Sequence, residues 1–326
     1  LNRKGLSLKS RVRSGKNRTE VVGYMHHVIA LGFFDGVHMG HAALMKRTRQ
    51  LAEHLGVPSM ALTFDRHPDE IVKEIQVPLL NTTDERREII KKRFAIDEVR
   101  FAVFDREMMT TPWERYVEDT LISELGAIHL VVGHDHRFGY MGEGTAEKLQ
   151  KLCKSRGIGC DIIPKVELNG VTVSSTYIRS LIAEGDAERA AQYLGYRHFI
   201  TGEAIPGRGI GSKALYATAN IAMPKALVSP AFGVYATRVL VDGAVYDAVT
   251  NIGRNPTVGE TPSVSVESHL LGFSGDLYGK TLRVFFYKYL RKEQKFPNVT
   301  ALKAQIAEDI KNAQAFLSAA PPPEIV

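Results

Sequence analysis

Two histidines, His38 and His41, stand three residues apart in the run Gly32-Phe33-Phe34-Asp35-Gly36-Val37-His38-Met39-Gly40-His41. That spacing lets both imidazoles face one pocket. Glycines let backbone N–H groups approach phosphate closely, and a helix beginning here adds the favourable dipole of its N-terminus. Imidazoles placed in this way can donate hydrogen bonds to charge building on a departing pyrophosphate, with no covalent intermediate. A bare H-x-x-H reads as a turn with two solvent-facing histidines. The glycines, an apolar strand before the run and a helical pattern after it favour the phosphate site. A second string, Ser174-Ser175-Thr176-Tyr177-Ile178-Arg179, puts hydroxyls at a helix start, where they cap orphan N–H groups, and an arginine fork one turn in. Taken alone, it is an ordinary N-cap with a surface arginine.

The elements that must position these groups follow from hydrophobic period. Strands are predicted over 28–34, 59–64, 99–104, 129–133 and 160–164, and helices over 41–55, 83–94, 113–125 and 147–156. Alternating strands and helices imply a parallel sheet with helices on both faces, which binds ligands at the carboxyl ends of its strands. After about residue 185 the pattern changes. A short helix over 187–194 precedes strands over 199–204, 233–241, 244–252, 263–271 and 281–290. Turn residues such as Asp242-Gly243 and Gly275-Asp276 separate them, and Asp-Gly between apolar segments is a hairpin signal. The second half therefore reads as an antiparallel β domain closed by a helix over 299–315. Pro321-Pro322-Pro323 cannot continue that helix.

The chain has 326 residues, which suits two domains. Residues 1–20 carry seven of its 42 Lys and Arg and one of its 36 acids, so the rest balances at 35 of each. The net charge of +6 thus belongs to the first twenty residues, and no whole-domain field steers the folded part onto nucleic acid. That stretch lacks the apolar core of a secretory signal, and residues 1–22 read as a disordered basic extension. A transit peptide or a basic arm are the other readings. No apolar run is long enough to span a bilayer. Cys153 and Cys160 match no zinc spacing and suit a reducing cytoplasm as two small buried hydrophobes.

The first run resembles the H-x-G-H signature of nucleotidyltransferases, and as a whole the FMN adenylyltransferase module of bacterial bifunctional riboflavin kinase/FAD synthetases. Three segments in the family's order support this. Thr63-Phe64-Asp65-Arg66-His67-Pro68 resembles T-F-x-P-H-P, with Arg66 for proline. Gly133-His134-Asp135-His136-Arg137-Phe138-Gly139 resembles G-x-D-F-R-F-G, with His136 for phenylalanine. Ser174 to Arg179 resembles S-S-T-x-I-R. Gly142 stands where the family has an arginine. The resemblance implies that His38 and His41 are catalytic. It implies that Gly32, Phe33, Asp35, Gly36, Gly40, Ser175, Thr176 and Arg179 bind ATP. His67, Pro68, Gly133, Asp135 and Phe138 would form the flavin and nucleotide pocket.

Downstream, Thr218-Ala219-Asn220 resembles the flavokinase P-T-A-N motif, with Ala217 for proline. Phe232-Gly233-Val234-Tyr235, Asn251-Ile252-Gly253, Ser265-Val266-Glu267-Ser268-His269, Asp276 to Lys280 and Leu290 to Phe296 follow in that family's order. The resemblance implies that Gly211, Thr218 and Asn220 hold ATP, with Thr218 and Asn220 on Mg²⁺, and that Glu267 is the general base. Carboxylates suit that role, and Mg²⁺ wants oxygen ligands shared with phosphates. The stretch before it departs from the family: Ser212 stands for arginine and Leu215 for glycine.

The expected architecture is thus a Rossmann-like nucleotidyltransferase α/β domain with a parallel sheet (23–185). An antiparallel flavokinase-type β-barrel with a terminal helix (186–318) and a tail (319–326) follow. The expected function is FAD biosynthesis: riboflavin is phosphorylated to FMN, and FMN is adenylylated to FAD with release of pyrophosphate. The expected partners are riboflavin, FMN and ATP, without nucleic acid or membrane, on a cytoplasmic monomer or weak homo-oligomer. The alternatives are an FMN adenylyltransferase with an impaired kinase domain, a nucleotidyltransferase acting on another substrate, and a non-catalytic flavin-binding protein.

Overall fold

The computed structural model describes residues 26–205, 218–255 and 263–324. Residues 1–22 and Gly211, with the departures at Ser212, Leu215 and Ala217, lie outside that range. The first half runs β1 (His27–Leu31), α1 (Met39–Leu55), β2 (Ser59–Phe64), α2 (Pro68–Val72), α3 (Thr83–Phe94) and β3 (Glu98–Ala102). It continues with α4 (Arg106–Thr110), α5 (Trp113–Arg115), β4 (Ala127–Gly133), β5 (Arg137–Phe138), β6 (Gly144–Thr145), α6 (Ala146–Ser155) and β7 (Gly159–Ile163). A small hairpin of β8 (Glu167–Leu168) and β9 (Val171–Thr172) leads into α7 (Ser175–Glu184).

The main sheet is parallel, in the order β3-β2-β1-β4-β7. All five residues of β1 are buried, the unalternating pattern of a strand covered on both faces. The chain leaves β1 for β2 on one side and returns through β4 on the other. The carboxyl ends of β1 and β4 therefore flank the switch point at which such sheets open a crevice. The strand predicted over 28–34 stops at Leu31, because Phe34 (φ 57°) and Gly36 (φ 75°) take left-handed backbone and turn the chain into α1. The helix predicted over 113–125 forms, but winds as a π-helix from Tyr116 to Glu124.

The second half runs α8 (Ala187–Leu194), β10 (Phe199–Ile205), β11 (Thr218–Ala222), β12 (Gly233–Val241), β13 (Ala244–Asn255), β14 (Ser263–Leu270), β15 (Thr281–Arg291) and α9 (Val299–Leu317). These strands close an antiparallel barrel in the order β10-β11-β14-β13-β12-β15. Asp242 and Gly243 both take positive φ, the two-residue turn whose twist matches its strands. Thr218-Ala219-Asn220, read from sequence as a motif outside the strands, begins β11. Its residues are small and weakly patterned, and pairing along β14 makes it a strand.

One apolar cluster crosses between the halves. It joins Phe34, Val37 and Leu80 to Tyr196, Phe199 and Phe285. The seam is also polar: Leu79 bridges Leu227 through Leu79 N–H to Ala226 O (2.7 Å) and Val228 N–H to Leu79 O (2.8 Å). The Tyr196 hydroxyl donates to Gly36 O at 2.8 Å.

Candidate active sites

A cavity of about 430 Å³ opens at the carboxyl ends of β1, β4 and β7. Helix α1 begins at its wall with His38 as N-cap, and the His41 N–H donates to His38 Nδ1 at 3.3 Å. Serine, threonine, aspartate or asparagine would cap better. An imidazole that accepts at Nδ1 carries its proton at Nε2, which leaves an N–H for an anion. The two rings stack, with centroids 3.6 Å apart and 14° between planes. Gly40 leaves room for this: a Cβ there would sit 3.0 Å from the His38 ring, a tight contact. Burial lowers the pKa of His38 to about 4. His41 falls well below its ordinary value, first by burial and then by repulsion from His38 and Arg86. Both are neutral near pH 7.

Helix α7 points its N-terminus at the same cavity. Ser174 caps it, accepting from the Tyr177 N–H at 3.3 Å. Arg179 is a fixed fork: Nη1 donates to Asp35 Oδ2 at 2.7 Å and Nη2 to Thr176 Oγ1 at 3.1 Å. Ser175 Oγ donates to Asp35 O at 2.9 Å. The Asp35 carboxylate is turned inward, accepting from the Leu80 N–H at 2.8 Å as well as from Arg179. Burial raises its pKa, with Leu80 and Arg179 opposing. Asp35 thus ties the first turn to α7.

Among the expected ATP residues, Gly32, Phe33, Asp35, Gly40, Ser175, Thr176 and Arg179 line the cavity together with His38 and His41. Gly36 lies beneath it; at φ 75° a Cβ would strike Leu80 at 2.4 Å. Of the expected flavin pocket, His67, Gly133 and Asp135 line the cavity, and Pro68 and Phe138 do not. His67 caps α2, accepting from the Asp69 N–H at 3.1 Å, and meets the Phe33 ring edge-on at 4.7 Å. Sequence reasoning missed Lys165, His134, Arg137 and Ser174 as lining residues. Lys165 follows the end of β7, so the rule that ligands sit at strand carboxyl ends was the available signal.

The second site is a row on the outside of the barrel. Ala219, Ile221, Val266, Ser268, Thr250 and Ile252 are buried inside it. Alternation then places Thr218, Asn220, Glu267, His269 and Asn251 outside. Asn220 pairs with Glu267, and Glu267 with Asn251, in one cross-strand register. The Thr218 hydroxyl lies 3.5 Å from His269 Nδ1. Burial raises the Glu267 pKa. Asn251, whose Nδ2 donates to Glu293 Oε1 at 3.3 Å, is a neighbour that sequence reasoning left without a role.

Comparison with known proteins gives a consistent result. A family model described as FAD synthetase matches residues 24–177, and one described as riboflavin kinase matches residues 194–317. The bifunctional riboflavin kinase/FMN adenylyltransferase of Listeria monocytogenes is 33% identical over 90% of this chain and 98% of that protein. The protein of the same description from Pseudomonas fluorescens is 35% identical over 89% of this chain and 92% of that protein. A solved structure described as a macrolide-efflux protein from Streptococcus pneumoniae superposes with a TM-score of 0.82 at 26% identity, covering 90% of this chain and 96% of that one. Among the described residues, no helix is long and apolar enough to cross a membrane.

Proposed function

The chain belongs to the bifunctional riboflavin kinase/FMN adenylyltransferase family, and we propose that it makes FAD from riboflavin in two ATP-dependent steps at the two sites described above. The observation that carries the adenylyltransferase site is the stacked, neutral pair His38 and His41 facing the Ser175, Thr176 and Arg179 end of α7. There an FMN phosphate oxygen attacks the α-phosphorus of ATP. The new P–O–P bridge forms, the α–β bridge breaks and pyrophosphate leaves. His38 Nε2–H and His41 donate to the charge that grows on the leaving group. Neutral imidazoles do this without releasing a proton, and a buried donor is worth more than one in water. Arg179, already clamped by Asp35 and Thr176, meets the phosphates with little reorganisation.

At the barrel site the riboflavin 5′-hydroxyl attacks the γ-phosphorus of ATP, the β–γ bridge breaks and ADP leaves, and Glu267 takes the hydroxyl proton. Burial lifts the proton affinity of that carboxylate, which makes it a better base. The Thr218 hydroxyl and the Asn220 amide oxygen are hard oxygen donors, which fit Mg²⁺. Thr218 and Asn220 would hold the ion with the ATP phosphates, whose charge it neutralises when bound. The two catalytic units are taken as 23–185 and 186–318, with 319–326 as a tail. The reading is of a cytoplasmic monomer or weak homo-oligomer, consistent with two free thiols and a charge-balanced folded part.

The two sites are separable by mutation. The double variant His38→Ala/His41→Ala is expected to lose FAD formation from FMN while still converting riboflavin to FMN. FAD formation retained by that variant would remove the histidines from the mechanism.

A further inference from the structure

Besides Arg179, a second cation touches the first catalytic turn, and it is one that no phosphate can reach. Arg86, on α3, is 1% exposed. Its Nη1 donates to the Phe33 carbonyl at 2.6 Å and lies 3.3 Å from Thr63 Oγ1, and Thr63 Oγ1 donates to the same carbonyl at 2.7 Å. A carbonyl oxygen has two lone pairs, and here buried side chains occupy both. The guanidinium also packs over the Phe33 ring at 4.4 Å, with the Phe101 ring at 5.1 Å.

Two residues of this turn with side chains, Phe34 and Val37, take positive φ, and the peptide that Arg86 and Thr63 hold is Phe33–Phe34. Phe34 sits at φ 57°, a left-handed conformation that costs a residue with a side chain roughly 1–3 kcal/mol. Such strain persists only where the surroundings over-determine it. A rotation of this peptide would relieve Phe34 and release the Phe33 carbonyl from its two donors. Phe33 and Phe34 line the cavity, where a free carbonyl oxygen would repel polyphosphate. The histidine pair follows within seven residues. Burying the cation is itself unfavourable, and Arg86 Nε and Nη2 have no hydrogen-bond partner among the described residues. A residue kept only for stability would be better apolar.

We propose that Arg86 is a positioning residue of the adenylyltransferase site, holding the strained Phe33–Phe34 peptide so that His38 and His41 are aimed at the phosphates. The inference rests on the adenylyltransferase reading of that cavity. The test measures FMN adenylylation by the full chain for Arg86→Met, Arg86→Lys and Thr63→Val, with riboflavin phosphorylation read on the same preparations. Arg86→Met is expected to lower the kcat for FAD formation about thirtyfold, with KM for ATP and FMN changed by no more than about threefold. Lysine should recover most of the loss, Thr63→Val should show a smaller fall of the same kind, and riboflavin phosphorylation should be unchanged. An unchanged kcat in Arg86→Met overturns the proposal, as does a parallel fall in the kinase rate. If Arg86→Met does not fold, Thr63→Val decides, because an arginine that serves packing alone predicts no change in its kcat. Wild-type protein that made no FAD from FMN would remove the underlying reading; wild-type activity with unaffected variants removes only the role of Arg86.

Discussion

At the scale of single residues, chemistry is divided between groups that touch phosphate and groups that aim them. In the proposed mechanism His38 and His41 belong to the first kind, and each alone is expected to matter. Replacing either by alanine should lower kcat for FAD formation by about a hundredfold or more, the usual loss when one preorganised donor is removed. Glu267→Gln should remove FMN formation and leave FAD formation from added FMN intact, read by chromatography of the flavins. Asp35 belongs to the second kind. Asp35→Asn keeps an acceptor for the Leu80 N–H but takes the charge from beside Arg179. A charge-assisted hydrogen bond contributes about 1.5–3 kcal/mol, so KM for ATP should rise about tenfold or more. An unchanged KM would mean that Arg179 needs no clamp. That His38 and His41 share one cavity was legible from sequence, because their spacing and the glycines around them already point to one pocket. Arg86 was not. In Thr83–Phe94 it is one more charge on a charged helix, and only the packing of α3 against the turn buries it.

At the scale of elements, two helix N-termini meet over the carboxyl ends of one sheet, and the loops that bring them there are strained or capped. The strands and helices of the first half were legible from period, because each is long and well punctuated. Their ends were less so. Left-handed backbone at Phe34 cut the first strand short by three residues, and apolar content alone does not show such a turn. Strand β11 was missed because Thr218–Ala222 gains its conformation from the neighbouring β14. That the loop after β7 shares the cavity was harder to read, since Lys165 joins it through the sheet order and only the rule that ligands sit at strand carboxyl ends pointed there. At the seam, the Tyr196 hydroxyl lies 2.8 Å from Gly36 O and 2.9 Å from Asn81 Oδ1. Tyr196→Phe should leave the Gly36 carbonyl unsatisfied and cost about 1–3 kcal/mol in chemical denaturation. No loss of stability would mean that the apolar cluster alone holds the seam.

At the scale of the whole molecule, the halves share a core, so their stabilities are linked. Buried histidines make that stability pH-dependent. Burial lowers His38, His136 and His198 to about 4 in the folded chain, against an ordinary value of 6.5. The unfolded chain therefore takes up protons that the folded chain refuses as pH falls from about 6.5 to about 4, and stability falls across that window. Above it the histidines contribute no pH dependence. His198, buried beside Phe286 and outside both sites, isolates the effect. His198→Phe should flatten the fall of Tm between pH 7 and pH 5, and an unchanged slope would assign the acid sensitivity elsewhere.

The central claim is that one chain carries two working sites in series. Its most direct test is a product assay on the purified protein with ATP and Mg²⁺, started in parallel from riboflavin and from FMN, with riboflavin, FMN and FAD resolved by chromatography. FAD is expected from both, with FMN appearing before FAD in the reaction started from riboflavin. FAD from FMN alone would contradict a working kinase site on the barrel, and no product from either would contradict both sites.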